Sequence, residues 1–175
     1  MTGKTHLSAG VIVGVVLSAS TNSVIDTSAA IIAASSFGSL FPDIDMTQSK
    51  LGHMIWPISF PINKIFGHRG FIHSPILYLL ISVCWQILFP QYKFIMWGFL
   101  IGAISHLALD SLNPKGVPIL YPMKKKFNFA NIETGTIWET LFFLATFSFV
   151  GYKYHYVILN TLLEYLMNDL LGKLM

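Results

Sequence analysis

Five apolar runs, at about 7–20, 27–41, 75–89, 94–112 and 137–159, constrain this chain more than any other feature. Their residues do not alternate apolar with polar as a half-buried strand requires. In lipid, moreover, each segment must satisfy its own backbone hydrogen bonds, so the runs are expected to be helices. Several fall short of the roughly 20 residues that cross a bilayer core, which implies tilt or partial burial. Only 11% of residues are charged and the mean hydropathy is +0.62, whereas soluble domains carry roughly 25% charged residues. The expected fold is an all-α integral membrane helical bundle, one domain over 1–175. About five helices are embedded in the membrane, and the tail from 160 forms a separate C-terminal amphipathic helix.

The first two runs are punctuated by Ala9, Gly10, Gly14, Ser18, Ala29, Ala33 and Gly38, small residues that let membrane helices approach closely. Ser74 can cap the third helix and Pro75 suits its first turn, leaving His73 just outside. Counting hairpins puts the N-terminus and the loops 42–74 and 113–136 on one side. That side holds Lys4, Lys50, Lys64, Arg69, Lys115, Lys124, Lys125 and Lys126; the other holds Lys93, Lys153 and Lys173. The positive-rich side stays cytoplasmic, so a multi-pass cell-membrane protein with a cytoplasmic N-terminus is expected.

A net charge of +3 is too small to argue for a nucleic-acid partner. Cys84 is the single cysteine, cannot form an intramolecular disulfide, and reads as a packing residue in an apolar run. Lys4 followed by an apolar stretch also fits a secretory leader, but the first helix of the bundle is the favoured reading, and it retains His6.

Five of the six histidines, with most of the aspartates, fall on the cytoplasmic side. His6 opens the first run; Asp43 and Asp45 follow the second; His68, Arg69 and His73 precede the third; His106 and Asp110 close the fourth. His106 and Asp110 are one helical turn apart and face the same way. Ionisable groups at membrane depth are costly without a partner, so a functional site is the default reading. Asp43 and Asp45 can point to one side of an extended loop or bracket a cation. The planar fork of Arg69 matches phosphate oxygens.

Imidazoles and carboxylates without thiolates suit a divalent transition metal, zinc foremost, with manganese or iron as alternatives. His6, Asp43, Asp45, His68, His73, His106 and Asp110 are the candidate ligands, enough for one or two ions. Asp43 or Asp45 can serve as general base. Glu139 reads equally as a ligand and as a favourable charge at a helix N-terminus.

These motifs resemble the predicted membrane-bound metal-dependent hydrolases of bacterial inner membranes. The resemblance runs through Thr5-His6, Leu40-Phe41-Pro42-Asp43-Ile44-Asp45, His68-Arg69-Gly70, His73-Ser74, His106 to Asp110, Asn113-Pro114-Lys115-Gly116, Tyr121-Pro122 and Thr134-Gly135. That family in turn looks like a distant relative of zinc-dependent phospholipase C and the S1/P1-type nucleases, all-helical enzymes that cleave phosphoesters. The resemblance implies a metal-dependent hydrolase acting on a phosphoester of a lipid or lipid-linked substrate at the cytoplasmic face, with membrane lipids as its surroundings. Asp43, Asp45, Arg69 and Glu139 are the candidate catalytic residues. The alternative is a non-catalytic regulator or transporter that binds a metal ion with the same cluster.

Overall fold

The computed structural model describes residues 2–21, 25–67, 69–123 and 125–174. Its helices are α1 (Gly3–Ser20), α2 (Ile25–Leu40), α3 (Lys50–Met54), α4 (Trp56–Phe66), α5 (Pro75–Leu88), α6 (Lys93–Ser111) and α7 (Ile137–Leu174). Short 3₁₀ turns lie at Phe41–Asp45, Phe71–His73 and Pro90–Tyr92. Among the described residues there is no strand; Val117 and Phe127 form an isolated antiparallel bridge. The all-helical expectation therefore holds.

Helices α1, α2 and α6 pack into the central layer, and small residues set their spacing. A Cβ added at Gly102 of α6 would collide with the backbone carbonyl of Ser35 in α2. One at Gly10 of α1 would strike the Ser39 side chain. Only glycine permits these approaches, and the close backbones let the Ser35 hydroxyl donate to the Gly10 carbonyl at 2.8 Å. Beside this layer, Tyr78, Met96, Leu100, Ala103, Leu107 and Val117 form an apolar core. Helix α5 starts as expected, with the Ser74 hydroxyl accepting from Ile76 N and Pro75 in the first turn.

The Pro90–Ser111 stretch, 22 residues, is long and apolar enough to cross a membrane, and half of its apolar window is buried inside the protein. Pro75–Leu88 and Ile137–Tyr152 are apolar but shorter. The Ser, Thr and Gly content that packs α1 and α2 also lowers their hydropathy, so the expected five spans exceed what helix length and composition alone provide. Two other expectations are corrected. The 160–175 tail is not a separate helix: α7 continues to Leu174, because no proline or helix-ending glycine motif interrupts it after Leu159. Cys84 is exposed rather than packed, since it falls on the outer side of α5.

The loop after α6 folds back beneath the helix end. Asn113 Oδ1 accepts from Lys115 N at 3.1 Å, and its amide donates to Thr134 Oγ1 at 3.0 Å. Phe129 N donates to the Ser111 carbonyl at 2.7 Å. These bonds hold Asn113, Phe129 and Thr134 against the end of the bundle that carries Asp110.

Candidate metal centre

Asp110 lies at the centre of the constellation, 2% exposed. Its Oδ1 is 3.4 Å from His6 Nε2. Its Oδ2 is 2.7 Å from Arg69 Nη2, 3.6 Å from His73 Nε2 and 3.7 Å from His106 Nε2. The rings of His6 and His106 stack at 3.7 Å between centroids. Four elements distant in sequence, α1, α6 and the turns Phe41–Asp45 and Phe71–His73, thus meet at one point.

The outer ring nitrogens of His73 and His106 are tethered. His106 Nδ1 pairs with the Ser39 carbonyl at 2.7 Å, and His73 Nδ1 pairs with Asp45 Oδ2 at 2.9 Å. A metal-binding histidine characteristically donates its second N–H to a carbonyl or carboxylate, which fixes the ring and frees the other nitrogen. Buried His106 Nε2 and His6 Nδ1 have no hydrogen-bond partner among the described residues. Polar atoms buried without a partner cost free energy, so such atoms in a native fold point to an unseen partner. Two triads bring ligand atoms within 4.8 Å of one another: His6, His106 and Asp110, and Asp43, His73 and His106. This donor set fits a divalent transition metal.

Asp43 and Asp45 have different places. Asp43 Oδ1 is 3.9 Å from His106 Nε2, and its side chain is 18% exposed, the most open carboxylate of the cluster. Asp45 belongs to neither triad; fully buried, it accepts from Arg69 N at 3.1 Å besides pairing with His73. A 3₁₀ turn separates residues i and i+2 by about 120° around its axis, so the two carboxylates diverge. The expectation that they lie on one side is corrected on this ground.

Arg69 is 6% exposed and points inward. Its backbone is left-handed, with φ 58°, a conformation that costs an ordinary L-residue on the order of 1–2 kcal/mol. It aims the N–H at Asp45 while the guanidinium reaches Asp110 and the Gly116 carbonyl, the latter at 3.3 Å. His68 lies outside the described residues.

Glu139, 2% exposed, joins neither triad. Its Oε1 accepts from Thr2 N at 2.7 Å and Thr5 Oγ1 at 2.6 Å, and its Oε2 accepts from Gly135 N at 2.7 Å. Both oxygens are committed to fastening the start of α1 to the start of α7. The reading of Glu139 as ligand or catalytic group therefore gives way to a tether beside His6. No pattern of residue types marks Ser39, which acts through its backbone carbonyl, or the Thr2 and Thr5 partners of Glu139.

His73, in the turn outside the helices, has competing influences. Burial disfavours its charged form, but hydrogen bonds to Asp110 and Asp45 outweigh this and raise its pKa to about 9.

The sequence profile of the YdjM inner membrane proteins matches residues 1–169. The chain belongs to the YdjM inner membrane protein family. Inner membrane protein YdjM of Escherichia coli (strain K12) is 39% identical over 92 residues, covering 50% of this chain and 47% of that protein. The protein of the same name from Shigella flexneri matches to the same extent. The chain thus spans about half the length of these two relatives. Uncharacterized protein YvsG of Bacillus subtilis (strain 168) is 31% identical over 161 residues, 91% of this chain and 98% of that protein. No solved structure matches the chain. The membrane location expected from hydropathy agrees with this family.

Proposed function

We propose that the chain is a multi-pass inner-membrane metal-dependent hydrolase of phosphoesters in lipids or lipid-linked molecules. The observation that carries this reading is the buried convergence of His6, His73, His106 and Asp110, with the outer ring nitrogens of His73 and His106 tethered. His106 belongs to both triads and has one nitrogen left after the Ser39 bond, which supports a single ion, zinc foremost. When bound, such an ion lowers the pKa of a nearby water and polarises a phosphoryl oxygen.

The chain's own residues supply the rest. Asp43, partly open to solvent, takes the proton of the attacking water as its oxygen joins phosphorus. The bond from phosphorus to the alcohol oxygen breaks, and the alcohol recovers that proton. Asp45 orients His73, and Arg69 places positive charge beside the phosphoryl oxygens. The substrate class rests on the membrane family, on Arg69, and on what the resemblance to membrane-bound metal-dependent hydrolases, themselves similar at a distance to zinc-dependent phospholipase C, implies. The positive-rich loops support a cytoplasmic site.

Purified protein loaded with zinc is to be tested on a panel of lipid phosphoesters beside folded His106→Ala and Asp110→Ala variants. Turnover confined to the wild type supports the hydrolase. Bound metal without turnover on any panel member overturns catalysis and leaves a metal-binding membrane protein. Less than about one-tenth equivalent of any transition metal after reconstitution removes the metal site itself. The 2.7 Å Arg69–Asp110 ion pair favours this last, purely structural reading, because it partly neutralises the cluster from within.

A further inference from the structure

A second cavity adjoins the metal centre through Arg69. It is a cleft of about 410 Å³ between the C-terminal end of α4 and the loop residues Pro118, Tyr121, Pro122, Met123 and Lys126. Arg69 and Pro118 form its buried inner wall, and Ile65, Met123 and Lys126 its exposed rim. The Nε of Arg69, buried with the rest of that side chain, has no hydrogen-bond partner among the described residues.

Both walls come from sequence without a carboxylate. No Asp or Glu occurs in 46–109 or in 111–132, whereas Arg69 and Lys126 line the cleft. The Arg69 guanidinium is paired with Asp110 at 2.7 Å, so Lys126 at the mouth supplies the charge that complements an anion. The outer surface of α4 is apolar: Trp56, Ile58 and Phe60 are 52%, 55% and 48% exposed, while Ser59 is buried. On an inner membrane protein such a surface belongs in lipid, because in water it would be a large uncovered apolar patch. Ile65 and Phe66 belong to this helix and to the cleft wall. The helix that carries this apolar surface thus ends at the cleft.

We propose that the cleft seats the phosphate of one anionic membrane lipid, with Arg69 behind it and Lys126 at the mouth, and that the acyl chains lie along α4. The inference deepens the functional reading by naming where a lipid phosphate would sit beside the metal centre. Its test measures binding alone, so either reading can fail without the other.

The full chain, stripped of metal with a chelator to prevent turnover, is placed in nanodiscs of phosphatidylcholine containing a minor fraction of phosphatidic acid. Lipid retained on release into detergent is counted by native mass spectrometry. Wild type should retain phosphatidic acid in preference to phosphatidylcholine. Lys126→Ala should weaken this retention about fivefold, as expected for one lysine near an anionic lipid surface. Lys50→Ala, the same charge change at an exposed position away from the cleft, should leave it within about twofold. Inorganic phosphate should not displace the lipid. Equal effects of the two lysine variants would reduce the attraction to diffuse surface charge and overturn the seat, and so would displacement by phosphate or an absence of preference. Retained lipid in a metal-loaded protein that hydrolyses nothing would refute catalysis and leave the seat standing.

Discussion

Asp45→Asn tests whether the centre has an inner layer of ligands and an outer layer that orients them. Asp45 is fully buried, pairs with His73 Nδ1 at 2.9 Å and accepts from Arg69 N at 3.1 Å. Asparagine has the same shape and keeps one acceptor oxygen, so packing survives while the charge behind His73 is lost. Removing such an orienting partner typically weakens metal affinity about 10- to 100-fold, equivalent to about 1.4–2.8 kcal/mol. Asp110→Asn removes an inner carboxylate and strands the Arg69 guanidinium, 6% exposed, without its 2.7 Å partner. Breaking a buried pair from one side costs about 3–5 kcal/mol, so this variant should lose both metal and stability. The assay is competition of each purified variant against a chromophoric zinc chelator, with thermal unfolding in the same detergent as the folding control. Two results would refute the layered arrangement: Asp45→Asn binding zinc like wild type, or losing it as completely as Asp110→Asn.

Glu139→Ala should retain wild-type metal stoichiometry but lower stability by about 1–3 kcal/mol for the donors it strands; metal loss from a variant as stable as wild type would reinstate Glu139 as a ligand. Metal-free protein should be most stable below about pH 6.5, where His73 is charged both folded and unfolded, and should lose stability as pH rises through about 9. Denaturant midpoints across that range check this, and midpoints that rise with pH would contradict it. In a Cys84→Ser background, reporter cysteines at Thr2, Gln48 and Lys125 should be shielded from an impermeant thiol reagent in intact cells while one at Gln91 reacts; Gln48 and Lys125 labelling from opposite sides would break the shared site.

The convergence of the site was legible in the sequence because it follows from helix count. Apolar runs of helical length, read as alternating in direction, put His6, Asp43, His73 and the His106–Asp110 turn at one end of the bundle, where the structure brings them together. Ser74 and Pro75 marked the start of α5 through local chemistry alone. The division of labour within the site belonged to the tertiary structure. A spacing of one residue between Asp43 and Asp45 has no fixed meaning until the backbone forms a 3₁₀ turn, which sends one carboxylate toward His106 and the other behind His73. Arg69 turns inward through a left-handed backbone conformation that its own side chain does not favour. Glu139 becomes a tether only because α7 starts beside Thr2 and Thr5, more than 130 residues away in sequence. Sequence pattern fixes which end of a helix a side chain occupies; the roll of that helix, the twist of a turn and the choice of a distant partner come from packing the whole chain.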